Sequence, residues 1–351
     1  MNFYSAKGYF TDTVMDWLRY KTDGKTEYTV VLAARLSGVP HIGTLVNFMS
    51  GYSLAAKLQS VYNKKVQVII ELLDNISDDK LFNIMNYNDK KYYHKRLINN
   101  DDFLNANYHE FCEVINRLNS LYQLPVKIKT YQDIIEDPEM RRSIIQVIEH
   151  QESFVSIFNP RGEKYLHLRI ACPHCGLLEK SCRDTQIEKT ADGEYFINSI
   201  CPEHGPYGIY FSAENKEYLE INAPFRQFCK GLSLVDHDTK NSGLSIQVLG
   251  NDWSGGWGMR MFCEGMFCLK REQLPLVLFS PVILADGRKI SKSDLKGSSE
   301  NRDIFYANRL HNDQLLRLHD EIEKWFQNSG MFFDNYNVKY LEGILKGDEE
   351  I

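Results

Sequence analysis

The sequence predicts an α/β protein built on a parallel sheet. Three observations carry that prediction. A strand, a helix and a second strand follow one another near the start, two more apolar strands come late, and helical patterns lie between the two groups. The first strand is "TEYTVVLAARLSG", which runs out into small residues. The helix is "VPHIGTLVNFMSGYSLAAKLQS", where Leu45, Phe48, Met49, Tyr52, Leu54, Ala55 and Leu58 recur at helical spacing. "KKVQVIIELLDNISDD" is the second strand, apolar enough for burial on both faces and ending in acidic and amide residues. In such a sheet ligands lie at the carboxyl ends of strands, so the residues just beyond each strand are the first to inspect.

From Asn83 to about Glu152 the pattern is polar and helical. "NYHEFCEVINRLNSLYQL" and "PEMRRSIIQVIEHQ" each carry an apolar stripe, and "VKIKTYQDII" between them is a short strand. From about Lys164 to Ser212 the chain breaks into short strand-like pieces around cysteines. "LSIQVLGND" returns as a core strand, "SGGWGMRMFCEGMFCLK" follows as a loop and helix, and "LPLVLFSPVIL" is the next strand. The tail, Glu300 to Ile351, reads as one or two amphipathic helices. The expected division is therefore residues 1–163 for the first half of the sheet domain with a helical insertion, 164–215 for a metal-binding insertion, 216–300 for the second half, and 301–351 for a short helical tail.

The chain has 351 residues, 43% hydrophobic and 25% charged, with a net charge of −6. That is the composition of a soluble globular protein, and the negative balance argues against affinity resting mainly on nucleic-acid phosphates. The amino terminus lacks a basic start followed by an unbroken apolar run, and no stretch reaches membrane-spanning length, so a cytoplasmic protein is expected. Its eight cysteines are then thiols or metal ligands rather than a disulfide framework. Cys112, Cys229, Cys263 and Cys268 stand among apolar or aromatic neighbours and read as core thiols.

"CPHCG" (Cys172, Cys175) and "CPEHG" (Cys201, His204) form two knuckles, each with its ligands three apart and a glycine after them. The two-residue spacer lets both side chains of a tight turn point at one ion, and the glycine accepts the turn's backbone angles. Two such pairs predict a tetrahedral structural Zn²⁺ site that holds an insertion too small for its own core. Cys182 and His174 are spare candidates.

"SGVPHIGTL" puts His41 and Gly43 where the first strand meets the helix, whose unpaired first-turn amides favour phosphate. In "LGNDWSGGWG", Gly250 and Asp252 follow a core strand, where a carboxylate suits a ribose hydroxyl pair; a helix cap explains Asp252 as well. In "ADGRKISKSDLKG", Lys289 and Lys292 stand three apart among serines and glycines, a pattern that a plain solvated turn would also show.

Together these pieces resemble a family. "HIGT" is similar to the HIGH signature of class I aminoacyl-tRNA synthetases, and "KISKS", Lys289 to Ser293, to their KMSKS loop. Within that family the lysyl-tRNA synthetase group is the nearest match, through a tryptophan in the first segment, "SGVPHIG", "SDD" after the second strand, "APFR", "GND" and the cysteine-rich insertion. The resemblance runs from about residue 15 to 300. It implies a Rossmann-like (HUP-type) sheet and a ligase that uses ATP, with Mg²⁺, to form an aminoacyl-adenylate and release pyrophosphate, as in protein synthesis.

On that resemblance Ser37, Gly38, His41, Gly43, Thr44, Gly250, Asp252, Lys289, Ser291 and Lys292 hold ATP, with His41, Lys289 and Lys292 catalytic. Lysine is the nominated amino acid, and Arg35, Glu71, Asp74, Asp78, Asp79 and Trp253 are the candidates to touch it. Thr44 departs from the family's histidine or asparagine, and Trp253 from its histidine. The family's C-terminal anticodon-binding domain is expected to be missing. The acceptor is therefore the end of a tRNA or some other group. A non-catalytic binding module of the same fold, and a nucleotidyltransferase of the same superfamily, are the alternatives.

Overall fold

The computed structural model of the chain describes residues 13–19, 21–76, 85–94, 102–159, 162–290 and 306–347. In chain order the first elements are α1 (Val14–Leu18), β1 (Glu27–Arg35), α2 (Ile42–Tyr62), β2 (Lys65–Leu73), β3 (Met85–Tyr87) and β4 (Lys90–His94). They are followed by α3 (Asp102–Tyr122), β5 (Val126–Thr130), α4 (Tyr131–Glu136), α5 (Pro138–Glu149) and α6 (Gln151–Phe158). A run of short strands comes next: β6 (Leu168–Arg169), β7 (Leu177–Glu179), β8 (Gln186–Lys189), β9 (Tyr195–Cys201), β10 (Gly205–Phe211) and β11 (Glu220–Ile221). The second half holds α7 (Ala223–Asn241), β12 (Gly243–Gly250), α8 (Gly256–Cys268), β13 (Leu276–Ser280), β14 (Ile283–Ala285) and β15 (Arg288–Lys289). The last elements are α9 (Asn312–Gln327), α10 (Ser329–Phe332), β16 (Tyr336–Asn337) and α11 (Val338–Lys346).

Five strands form the central sheet in the order β13-β12-β1-β2-β5, and every pairing is parallel. The predicted α/β parallel sheet is therefore present, with a Rossmann-like order. From β1 the chain builds outward through β2 to β5, then returns to the other side of β1 as β12 and β13. The order reverses between β1 and β12, and the strand connections diverge there, leaving a crevice at the carboxyl ends. Residues 27 to 35 of β1 pair with residues 65 to 73 of β2 along the whole length of both strands, which fixes where those ends lie.

Helix α2 has no single apolar stripe. Ile42, Leu45, Val46, Phe48, Met49 and the run from Ser50 to Ala55 are all buried, because the helix lies between the sheet and helices α3 and α9. The seven apolar residues that mark this helix in the sequence are all in the core. On the opposite face α7 packs on β12 and against α5.

Three expectations differ from the structure, and the helical tail that the sequence predicts is present with an added strand. Within the stretch read as helical, β3 and β4 form an antiparallel hairpin turned at Asn88 and Asp89 (φ 48° and 60°), and β4 pairs with β7 of the cysteine-rich segment. Short strands with a polar turn show no helical period, and their partner lies far along the chain. The tail contributes more than helices: β16 adds a parallel partner to β14, while α9 lays Leu318, Ile322, Trp325 and Phe326 into the core. The first half of "ADGRKISKS" is a hairpin in which Asp286 and Gly287 take φ values of 51° and 74°, as a two-residue hairpin turn requires. Of the presumed core thiols only Cys229 is fully buried; Cys112, Cys263 and Cys268 are partly exposed.

The cysteine-rich segment is closed at its base by the β6 and β11 pairing and by the ion pair of Arg169 with Glu220 at 3.5 Å. Its exit is held by Arg141 on α5. This fully buried guanidinium donates to the carbonyls of Ser212 (2.6 Å) and Glu217 (2.9 Å) and lies 4.0 Å from the Phe211 ring centre.

Candidate active site and metal centre

A cleft of about 340 Å³ opens at the carboxyl ends of β1, β12 and β13. Its position follows from the strand order, since this is where the sheet's connections part. His41, Gly43, Thr44 and Asn47 line it from the start of α2, Gly250 from the last position of β12 and Trp253 from just beyond it. Ser280 comes from the end of β13, Lys289 and Ile290 from the end of the hairpin, and Arg35 and Ser37 from the loop after β1. Gly38 follows Ser37 in that loop.

His41 is the N-cap of α2: its Nδ1 accepts from the Thr44 amide at 3.3 Å. A ring that accepts at Nδ1 carries its proton on Nε2, which lies 3.5 Å from Thr44 Oγ1. A Cβ at Gly43 would lie 3.1 Å from the His41 ring and 3.5 Å from Ile290 Cγ2. The glycine thus lets the His41 ring and the end of the hairpin close on one helix start. Tyr306 makes an antiparallel bridge with His41, and the Ala307 amide donates to the Pro40 carbonyl at 3.0 Å. The described chain on either side of residues 291–305 therefore meets the helix start at the same point. Ser291 and Lys292 lie outside the described residues, as do Asp78 and Asp79.

Asp252 folds back toward Gly250, where a Cβ would come within 2.5 Å of its Oδ1. Its other oxygen accepts from Lys289 Nζ at 2.7 Å. Asn47 Nδ2 donates to Ser280 Oγ at 2.7 Å, tying α2 to the end of β13 across the cleft floor.

The nominated amino-acid contacts are dispersed. Arg35 and Trp253 line the cleft. Asp74 is buried and accepts from the Tyr131 amide at 3.1 Å, which anchors α4. Glu71 faces a separate cavity of about 310 Å³ on the α5 and α7 side of the sheet, where it accepts from Lys230 Nζ at 2.7 Å. Burial pulls the Lys230 ammonium below its ordinary pKa, against the opposing pull of Glu71.

Two cleft residues escaped the reading of the sequence. Arg226 and Gln227, on the first turn of α7, are each 5% exposed and line the cleft beside Leu73 and Ala223. The signal was an arginine opening an apolar helix in "APFRQFCKGLSL", where eight consecutive residues from Phe225 to Leu232 are buried.

The predicted metal ligands come together. The ligand atoms of Cys172, Cys175, Cys201 and His204 all lie within 4.8 Å of one another. Cys175 Sγ is 3.6 Å from Cys201 Sγ, and His204 Nδ1 is 3.5 Å from Cys201 Sγ and 3.8 Å from Cys172 Sγ. A tetrahedron with metal–sulfur arms of about 2.3 Å has edges of roughly 3.5 to 3.8 Å. The glycines after the knuckles, Gly176 and Gly205, take φ values of 73° and 79°. Cys182 hydrogen-bonds to backbone carbonyls instead, and the His174 ring lies 5.1 Å from that of His204, tilted by 33°. The small core beside the cluster holds Tyr92 and Leu177 in addition to Cys172 and Cys201.

The fold is similar to those of two solved aminoacyl-tRNA synthetases. One is designated an arginyl-tRNA synthetase, from Campylobacter jejuni, with 10% identity, TM-score 0.44, and coverage of 91% of this chain and 66% of that one. The other is the Mycobacterium tuberculosis methionyl-tRNA synthetase bound by methionyl-adenylate, with 11% identity, TM-score 0.45, and coverage of 93% and 69%. No family model matches the sequence, and no curated protein matches it significantly. At these values the likeness assigns no role to any residue. Among the described residues no helix is long and apolar enough to cross a membrane.

Proposed function

We propose that the chain is a class I synthetase-like ligase that activates an amino acid with ATP. The carboxylate oxygen attacks the α-phosphorus, a new P–O bond forms, the bond to the bridging oxygen breaks, and pyrophosphate leaves with the electron pair. The observation that carries this reading is the meeting of two widely separated motifs: His41 and Gly43 stand against Ile290 and Lys289 in one cleft at the reversal of strand order. The amides of the α2 start and His41 Nε2–H suit phosphate oxygens. Gly250 lets the Asp252 carboxylate fold back over the strand end, and Asp252 would offer a ribose hydroxyl an acceptor. Lys289, and Lys292 beyond the described residues, would supply charge where the leaving pyrophosphate develops it. Charge stabilisation of this kind contributes about 3 to 4 kcal/mol per group. Mg²⁺ would accompany ATP.

Lysine is the amino acid that the motif resemblance nominates. A lysine side chain needs a carboxylate partner, and Glu71 is engaged by Lys230. The activated amino acid would pass to a tRNA end or to another acceptor. We also assign the cluster of Cys172, Cys175, Cys201 and His204 to one structural Zn²⁺: four ligands fill its tetrahedron and leave no position for substrate. Pyrophosphate exchange measured with each of the twenty amino acids tests the main reading. Exchange with at least one, lost in His41→Ala, is expected; exchange with none would leave the ligase reading without support.

A further inference from the structure

We propose that the amino-acid end of this cleft selects an acidic amino acid, aspartate or glutamate, and that Arg226 is the residue that recognises its side chain. The inference rests on the ligase reading above and names the substrate class of the same site.

Arg226 is 5% exposed, lines the cleft, and has a buried Nε with no hydrogen-bond partner. Its neighbour Gln227, equally buried, presents an Oε1 that is also unpartnered. Glu71 and Glu220 act on Arg226 electrostatically, but among the described residues no carboxylate pairs with it directly, and a planar carboxylate is the ligand that its fork of donors fits best. Burial lowers the pKa of Arg226, with Tyr131 and Glu71 pulling the other way and Arg35 adding to the fall. Arg35 brings a second guanidinium to the same wall.

The two nominated acids among the described residues are engaged by other groups. Glu71 is held by Lys230 at 2.7 Å, one turn along α7 from Arg226, and Asp74 accepts from the Tyr131 amide; Asp78 and Asp79 lie outside the described residues. Among the described residues that line the cleft there is no aspartate or glutamate. An ammonium group placed here would face the Arg226 guanidinium in a half-enclosed site, where like charges repel strongly.

Arg226 answers to a second carboxylate, not to the reacting one. The reacting carboxylate must reach the α-phosphate near His41 and Lys289, at the α2 start and the hairpin. Arg226 stands on α7 beside Ala33, Ala34 and Leu73, near the ends of β1 and β2. An amino acid lying between these two groups would have one acid at each end.

The test uses the whole chain. Pyrophosphate exchange with aspartate or glutamate is expected to exceed that with lysine at least tenfold. Arg226→Ala should raise KM for the acidic amino acid by roughly ten- to a hundredfold, the range of a lost charged hydrogen-bonded pair, with a smaller change in kcat, and Arg226→Lys should recover part of it. Calorimetric titration of the wild-type protein with L-aspartate, L-glutamate and L-lysine, without catalysis, covers the case in which the variants fold poorly. Binding of an acidic amino acid without lysine supports the proposal even if no exchange is seen, a result that would sink only the ligase reading. Preference for lysine or a neutral amino acid in either assay, or binding of neither acid, overturns it.

Discussion

Lys289 Nζ and Asp252 Oδ2 are 2.7 Å apart, so the lysine that opens "KISKS" is paired with the carboxylate that suits a ribose. Both are substantially exposed, at 51% and 36%, and exposed pairs of this kind stabilise a fold by only about 0.2 to 1 kcal/mol. The pair also joins two strand ends, those of β12 and β15, at the cleft, where the proposed reaction gives each partner another role. Lys289→Ala is expected to slow pyrophosphate exchange by roughly a hundredfold or more while moving Tm by only a degree or two. Asp252→Asn should act mainly on KM for ATP. Equal losses of Tm with unchanged exchange would mark the pair as merely structural.

The buried pair behaves differently. Lys230 and Glu71 have side chains only 6% and 5% exposed, so removing either charge strands the other in a low-dielectric interior. Glu71→Gln or Lys230→Met alone should cost about 3 to 5 kcal/mol. The double substitution Glu71→Leu with Lys230→Met should recover most of that. Urea unfolding of the three variants checks this, and a double variant as unstable as the singles would contradict it.

Metal removal is the third test. Cys172, Cys201 and their partners close a small core with little apolar area of its own, and such units depend on the bound ion for folding. One Zn²⁺ per chain is expected by elemental analysis. Chelation, or Cys201→Ser, should lower Tm and expose the segment between β6 and β11 to protease first. Metal content at background in freshly purified wild-type protein would rule the site out.

An acid limb of the stability profile follows from Glu139. Hydrogen bonds from Arg142 and Lys240 hold its carboxyl at about 2, against an ordinary 4.5. Because the folded value is depressed, its contribution is present above pH 4.5 and is lost as pH falls toward 2. Lys240 closes α7 onto α5 through this carboxylate at 2.8 Å, and both lysine and Arg142 are well exposed, so the total is about 1 kcal/mol or less. Glu139→Gln should be that much less stable at neutral pH and indistinguishable from wild type near pH 2, as read by urea midpoints.

The site was legible in part. His41, Gly43, Gly250, Asp252 and Lys289 were marked by strand ends and short motifs, and the structure brings four of them to one cleft, with Asp252 paired to Lys289 beside it. The four metal ligands were marked by two knuckles and their glycines. Glu71 was misplaced for a simple reason: side chains alternate along a strand, and the sequence of β2, apolar on both faces, does not say which face carries the acid. Arg226 was hidden in a helix whose apolar neighbours made it look like a residue of the core. The hairpin of β3 and β4 was missed because its third strand, β7, comes from residues far along the chain.

By itself the sequence determined the class of sheet, the buried α2, the phosphate-suited helix start and the metal knuckles, because each is a matter of local period, spacing or turn chemistry. Only the tertiary structure decided which charged side chains line the cleft. That depends on which acids and bases find each other: Glu71 meets Lys230 of α7, Asp252 meets Lys289, and Arg226, one turn before Lys230 on the same helix, has an Nε that meets none. Ion pairing between residues so distant in the chain is set by how the layers pack, which no local pattern records.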